Sequence, residues 1–200
     1  MTPIIIVPPT VEPVDLDEAK LWTKVDGDTE DNDITDLISA AREYCEWRKG
    51  YAFYEQTLRV SLSNWPCSTK RIELPRATPL QSIVSVTYTD STGSHTVDGD
   101  SYSVDVVSTP GVVVFGEDYS WPDVDLYAPN PVTIDYVVGL SSDSPIVPYS
   151  IKVAMRLLIS HWYSHRDAVV IGINNAASQS VPLELGVDAL LGVNQQIYAF

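Results

Sequence analysis

The apolar pattern along this chain changes period twice, and that constrains its fold more than any other feature. Between residues 31 and 49, apolar side chains recur at three- and four-residue spacing (Ile34, Leu37, Ile38, Ala41, Cys45), with Tyr44 and Trp47 beside the stripe. From Tyr51 the spacing drops to two, in segments rich in Val, Ile, Thr and Tyr. After Pro148 the helical spacing returns through Ile151, Ala154, Met155, Leu158, Ile159 and Trp162. Side chains share a face every ~3.6 residues in a helix and every ~2 in a strand, so neither pattern can serve as the other. The expected class is α+β, with a helical bundle core from both chain ends and an inserted antiparallel β-rich lobe. The core is expected over 1–50 and 143–200, including an N-terminal arm and a C-terminal tail. The lobe is expected over 51–142. Leu37, Ile38, Ala41, Leu158 and Trp162 are the expected centre of the helical core.

Boundary signals place the elements. Asp15 reads as an N-cap, and Glu18 three residues on completes a capping-box pattern for a helix over 16–25. Asp26-Gly27-Asp28-Thr29-Glu30-Asp31 is an acidic turn, and the helix over 31–49 ends in Arg48, Lys49 and Gly50, a basic last turn followed by a C′ glycine. Strands are expected over 56–62, 71–74, 83–89, 95–97, 102–106, 112–115 and 131–138. The turns between them include Asp90-Ser91-Thr92-Gly93-Ser94, Asp98-Gly99-Asp100 and Thr109-Pro110-Gly111. Pro148 suits the first turn of a long helix over 149–168, and 182–191 suits a short apolar one. Four prolines (Pro3, Pro8, Pro9, Pro13) surround the Ile4-Ile5-Ile6-Val7 run. Proline removes backbone donors, so residues 1–13 are expected to be an extended arm that a partner orders.

Charge and cysteines narrow the classes. Twelve Lys and Arg stand against 27 Asp and Glu, a formal charge of −15. A free nucleic-acid binder needs a basic footprint, and no Lys/Arg run here exceeds two residues. The acidic excess fits solubility by self-repulsion, and equally a surface that sits beside DNA without adhering. Cys45 and Cys67 are too few for a disulfide framework. The Ile4–Val7 run is too short for a signal peptide and lacks a basic flank. No apolar run approaches the ~20 residues of a membrane span.

Chemical motifs are sparse. The acidic turn lacks the residue order of a calcium loop and its closing Glu. His161 and His165 share a helix face, with Asp167 near, but the general-base Glu of a His-Glu-x-x-His site is missing. No nucleophile elbow or phosphate loop is present. Acid pairs such as Glu117/Asp118 and Asp123/Asp125 are expected by chance among 27 acids. Neither an enzyme nor a cofactor site is expected. Tyr119, Trp121 and Tyr127, with Pro122 and Pro129, form an aromatic loop segment. Such a loop can anchor itself, contact a subunit or stack on a sugar. The last possibility points to a β-module that binds glycan.

Five stretches, in order, resemble the head–tail connector (adaptor) proteins of long-tailed phages, in particular the longer subfamily with a β-rich insertion. They are 9–20 (Pro9-Thr10-Val11 through Ala19-Lys20), 31–42, 74–83, 160–166 and 181–191. Family members tend to carry acidic residues after the Trp-Tyr pair, where this chain has Ser164-His165. The resemblance implies a ring, usually of 12 copies, in the virion neck and assembled in the host cytoplasm. That ring lies beneath the portal protein, with a downstream neck or tail protein on its far side, and DNA passes through its lumen without specific binding. It also implies that the C-terminal segment reaches the portal, through Pro182, Leu183, Leu185, Val187, Leu190, Leu191, Ile197, Tyr198 and Phe200. Removal of 182–200 is expected to leave the body folded. An acidic bore would repel phosphate, and Asp26, Asp28, Glu30, Asp31 and Asp33 are its expected lining. The alternative reading beside this one is a virion-surface β-module that binds glycan or another coat protein through the aromatic loop.

Overall fold

The computed structural model describes residues 1–66, 69–127, 129–141, 147–165 and 183–192; of 183–185 only the backbone is described. The chain divides into two compact units: Met1–Val11 with Gly50–Ser144, and Glu12–Lys49 with Pro145–Phe200. The described residues form a mixed α+β chain with four α-helices and two antiparallel sheets.

The helical unit contains α1 (Leu16–Thr23), α2 (Asp31–Lys49), α3 (Tyr149–Ser164) and α4 (Leu183–Gly192). Asp15 caps α1, its carboxylate accepting the Glu18 backbone N–H at 2.7 Å. Glu18 does not close the expected box; its carboxylate faces Arg156 at 3.7 Å. α2 ends before Gly50, whose φ of 74° lies in the left-handed region that glycine adopts without strain. α3 packs against each of the other three helices, which places it at the centre of this unit. It buries Ile151, Ala154, Met155, Leu158 and Ile159, and α2 contributes Ile34, Ile38, Ala41 and Cys45. Pro148 sits one residue earlier than expected, at the N-cap of α3.

Two residues of the expected helical centre lie nearer the surface. Leu37 and Trp162 are half-buried. The core line of α2 instead turns toward Arg42 and Glu46, both buried. Trp162 meets Tyr44 edge-to-face, with ring centroids 6.2 Å apart.

The β unit contains a five-stranded sheet, in the order β1 (Ile4–Val7), β2 (Gln56–Leu62), β8 (Val132–Val138), β4 (Leu80–Asp90), β5 (Gly93–Thr96). A second sheet runs β3 (Arg71–Glu73), β7 (Val112–Phe115), β6 (Tyr102–Asp105). Period-two alternation puts Leu58 and Val60 of β2 opposite Tyr136 and Ile134 of β8 on the buried face. On the other face Arg59 and Asp135 are partners, joined by two bonds of 2.7 Å. Ile72, Val113 and Phe115 of the second sheet belong to the same apolar cluster. Gly139, just past β8, has a φ of +93°, and a Cβ there would lie 2.1 Å from the Tyr54 carbonyl oxygen. Only glycine fits that approach.

The expected N-terminal arm is corrected here. Ile4–Val7 is the end strand of the large sheet, with Ile4 opposite Arg59 and Ile5 opposite Leu58. Its own chain supplies the ordering partner, and residues 1–11 group with the strands, not with the helices. β2 offered a free edge, and a short apolar segment satisfies it despite the flanking prolines.

Candidate functional site

The acidic turn between α1 and α2 holds its own cation. Lys20 Nζ lies 3.1 Å from Asp28 Oδ1 and 2.7 Å from Asp31 Oδ1. The hydrogen bond to Asp31 is the main cause of an upward shift of the Lys20 pKa, opposed by partial desolvation. Glu30 accepts a 2.8 Å bond from the Tyr163 hydroxyl, tying the turn to α3. Asp26 and Asp33 are exposed. The five acids thus stand in one segment, with Asp28 and Asp31 held by Lys20 of α1 and Glu30 by Tyr163 of α3. Among the described residues no three His, Cys, Asp or Glu side chains are grouped to hold a metal ion. His161 and His165 stack at 4.4 Å, and His165 Nδ1 lies 2.9 Å from the His161 carbonyl.

α4 revises the expected docking residues. Val187 and Leu191 are buried within the helical unit, where α4 packs against α3 and α2. Lys49 Nζ donates to the Leu191 carbonyl at 2.7 Å, and Arg48 pairs with Asp188. Burial of the Lys49 ammonium lowers its pKa. Val187 and Leu191 therefore hold α4 to its own chain and are not open to a partner in this conformation. Leu190 is half-buried. Leu183 and Leu185 lie on the α4 backbone, with side chains outside the description. Pro182, Ile197, Tyr198 and Phe200 lie outside the described residues, as do Cys67 and Asp167.

A buried charge cluster on α2 was not legible from residue order. Arg42 is 2% exposed and Glu46 is fully buried. The Arg42 guanidinium donates through Nε to both oxygens of Glu12, at 3.1 and 3.0 Å, and through Nη1 to Glu46 Oε2 at 3.2 Å. Ser39 adds a 3.1 Å bond to Glu12. Glu12 is the first residue of the helical unit after the β1 segment. The cluster therefore anchors the point where the chain enters the helices. An Arg spaced four before a Glu on a charged helix reads as surface; the distant Glu12 is what makes this pair internal. Beside it, Cys45 is buried, and desolvation with the Glu46 charge pushes its thiol up to about 12.

The aromatic loop is anchored in the β unit. Trp121 stacks on Trp65 at 4.7 Å and meets Phe115 edge-on at 4.6 Å. The Lys70 ammonium lies 5.3 Å from the Trp121 ring centre and donates to the Tyr119 carbonyl. With its ring faces occupied by these partners, Trp121 is not laid out as a sugar platform. Tyr127 is exposed.

These features define a class: a two-unit α+β chain whose helices and strands both come from discontinuous segments, with polar contacts devoted to packing. Chains of this fold are found in gene transfer agent particles. One, from the neck of an empty gene transfer agent (GTA) particle computed with C6 symmetry, is 17% identical, with a TM-score of 0.69 over 100% of this chain and 98% of that one. A chain of the native GTA virion is 17% identical, with a TM-score of 0.67 and the same coverage. A third, from the native GTA neck computed with C12 symmetry, is 16% identical, with a TM-score of 0.61 over 95% of this chain and 94% of that one. At these identities the likeness is one of fold. No family model matches the chain, and no curated protein matches its sequence.

Proposed function

We propose that this chain is a structural connector in the neck of a tailed phage-like particle, forming a ring beneath the portal that joins capsid to tail and lets DNA pass. The observation that carries this reading is the end-to-end fold likeness to chains of the GTA neck and virion, at TM-scores of 0.61 to 0.69. The five ordered stretches of sequence resemblance support it independently. The net charge of −15 suits a wall past which DNA slides, since a basic wall would hold phosphate through counterion release. On this reading the turn bearing Asp26, Asp28, Glu30, Asp31 and Asp33 faces the lumen, and the segment after α4 reaches the portal.

Electron microscopy of the chain mixed with the portal ring of its own particle tests the reading. The expected result is a ring of copies, of twelvefold or sixfold symmetry, on one end of the portal. Portal rings that stay bare at saturating chain concentration would overturn it. Deletion of 182–200 is no longer the right docking variant, because it removes α4 with the buried Val187 and Leu191. Deletion of 193–200 leaves all four helices intact and is expected to weaken portal attachment, read by co-sedimentation.

A further inference from the structure

The four end strands of the two sheets differ in chemistry. The ends of the smaller sheet carry charge, with Arg71 and Glu73 on β3 and Asp105 on β6. The ends of the larger sheet carry no Asp, Glu, Lys or Arg: β1 reads Ile-Ile-Ile-Val and β5 reads Gly-Ser-His-Thr, four residues each. An end strand presents open N–H and C=O groups, and proteins that must stay apart commonly guard it with charge or proline. β1 is flanked by Pro3, Pro8 and Pro9 but carries no charge along its four residues, where it exposes apolar side chains, with Ile4 58%, Val7 52% and Ile6 37% exposed. A chain of −15 repels its own copies. Close association therefore runs best through surfaces without carboxylates.

We propose that copies of this chain join head to tail through their larger sheets, β1 of one copy adding as a strand beside β5 of the next. The proposal deepens the neck reading and rests on it, naming the surface through which the ring forms. A contact between unlike ends of one sheet is heterologous, and such contacts close into rings when the rotation allows. A β1–β1 contact would be isologous and stop at two copies. Pro3, Pro8 and Pro9 flank β1 and have no N–H to donate. They confine the added pairing to the few residues that β5 can match.

Disulfide trapping on the assembled complex tests this. Ile4→Cys or Val7→Cys is combined with Ser94→Cys or Thr96→Cys in a Cys67→Ser background, four pairings that all lie on the sheet face carrying Arg59. Each variant is bound to the portal ring, oxidised and run on a non-reducing denaturing gel. At least one pairing is expected to give a ladder of linked copies that no single variant gives. No ladder from any pairing, or dimers from the β1 cysteine alone, would overturn the proposal. A second variant carries Ile4→Lys and Ile6→Lys, with folding checked by circular dichroism and thermal unfolding. It lowers the net negative charge, so any loss of assembly cannot come from added repulsion. The folded variant is expected to lose ring formation on the portal. If it forms complete rings, the strand contact is wrong and the neck reading stands; if the unaltered chain forms no ring, both fall.

Discussion

The two units hold themselves together by different means. The β unit has an apolar cluster shared by two sheets, sealed by Trp121 stacked on Trp65 and set edge-on to Phe115. The Arg59–Asp135 pair lies on the opposite face of the large sheet, with Arg59 partly exposed. The helical unit places charge inside, with Arg42 between Glu12 and Glu46. Apolar burial is non-directional and tolerates small shifts. A buried ion cluster demands its geometry, because each unpaired member would keep its desolvation penalty. Both units have apolar cores, and the helical unit adds to its own a buried ion cluster whose few polar bonds demand one geometry.

Substitutions can break this contrast, starting with the largest effect. Arg42→Ala strands Glu46 without its guanidinium and is expected to destabilise the helical unit by about 3–5 kcal/mol. Denaturant unfolding with hydrogen exchange resolved by segment would show lost protection in α2 and α3 and little change in β8. Arg42→Met with Glu46→Leu is expected to recover much of that loss, since it leaves no charge at the fully buried position and only the quarter-exposed Glu12 without its guanidinium. If Arg42→Ala costs no more than an exposed ion pair, the contrast between the units collapses. Trp121→Ala in the β unit removes ring contacts with Trp65, Phe115 and Tyr119 and is expected to cost about 3 kcal/mol, with the protection loss confined to the strands. Trp162→Ala is expected to cost less, about 1–2 kcal/mol, because among the described residues that ring meets one aromatic partner, Tyr44, where Trp121 meets three. Equilibrium unfolding of both tryptophan variants under one condition would rank them.

Two titrations sharpen the comparison at smaller scale. In the β4–β5 turn, Asp90 Oδ1 accepts from the Thr92 hydroxyl at 2.6 Å, the Thr92 N–H at 2.7 Å and the Gly93 N–H at 3.1 Å, with His95 Nε2 also 3.1 Å away. The Thr92 bonds lead in holding its pKa down to about 2, from an ordinary 3.8. A depressed carboxylate contributes stability above its unfolded pKa, and that contribution is lost as pH falls from about 4 toward 2. Thr92→Ala is expected to move the Asp90 midpoint upward, measured by carboxyl NMR. In the helical unit, Cys45 is expected to resist alkylation at neutral pH until the unit unfolds, as peptide mass mapping would show.

The parts legible in sequence were those set by local chemistry. Asp15 and Gly50 mark helix ends because capping needs only neighbours. The β4–β5 hairpin was visible in Asp90-Ser91-Thr92-Gly93. The strand order β1-β2-β8-β4-β5 was not, since it depends on pairings between residues far apart in the chain. β1 was hidden because Ile4–Val7 has no alternation and sits among prolines. Arg42 and Glu46 read as solvent-facing, as charged residues ordinarily do, and only Glu12, 30 positions from Arg42, makes the site internal. For the candidate site, the acidic turn was plain as a segment, but not its capture of Lys20. The burial of Val187 and Leu191 depends on how α4 packs against α2 and α3.

The division of the chain also governs how it would carry load. The backbone passes between the units three times, after Val11, after Lys49 and after Ser144. The first residues belong to the strands and the last described helix to the helical unit, so tension applied at the two termini must cross from one unit to the other. It crosses through three covalent threads, not one tether. A single cut at any one junction leaves the halves joined by the other two.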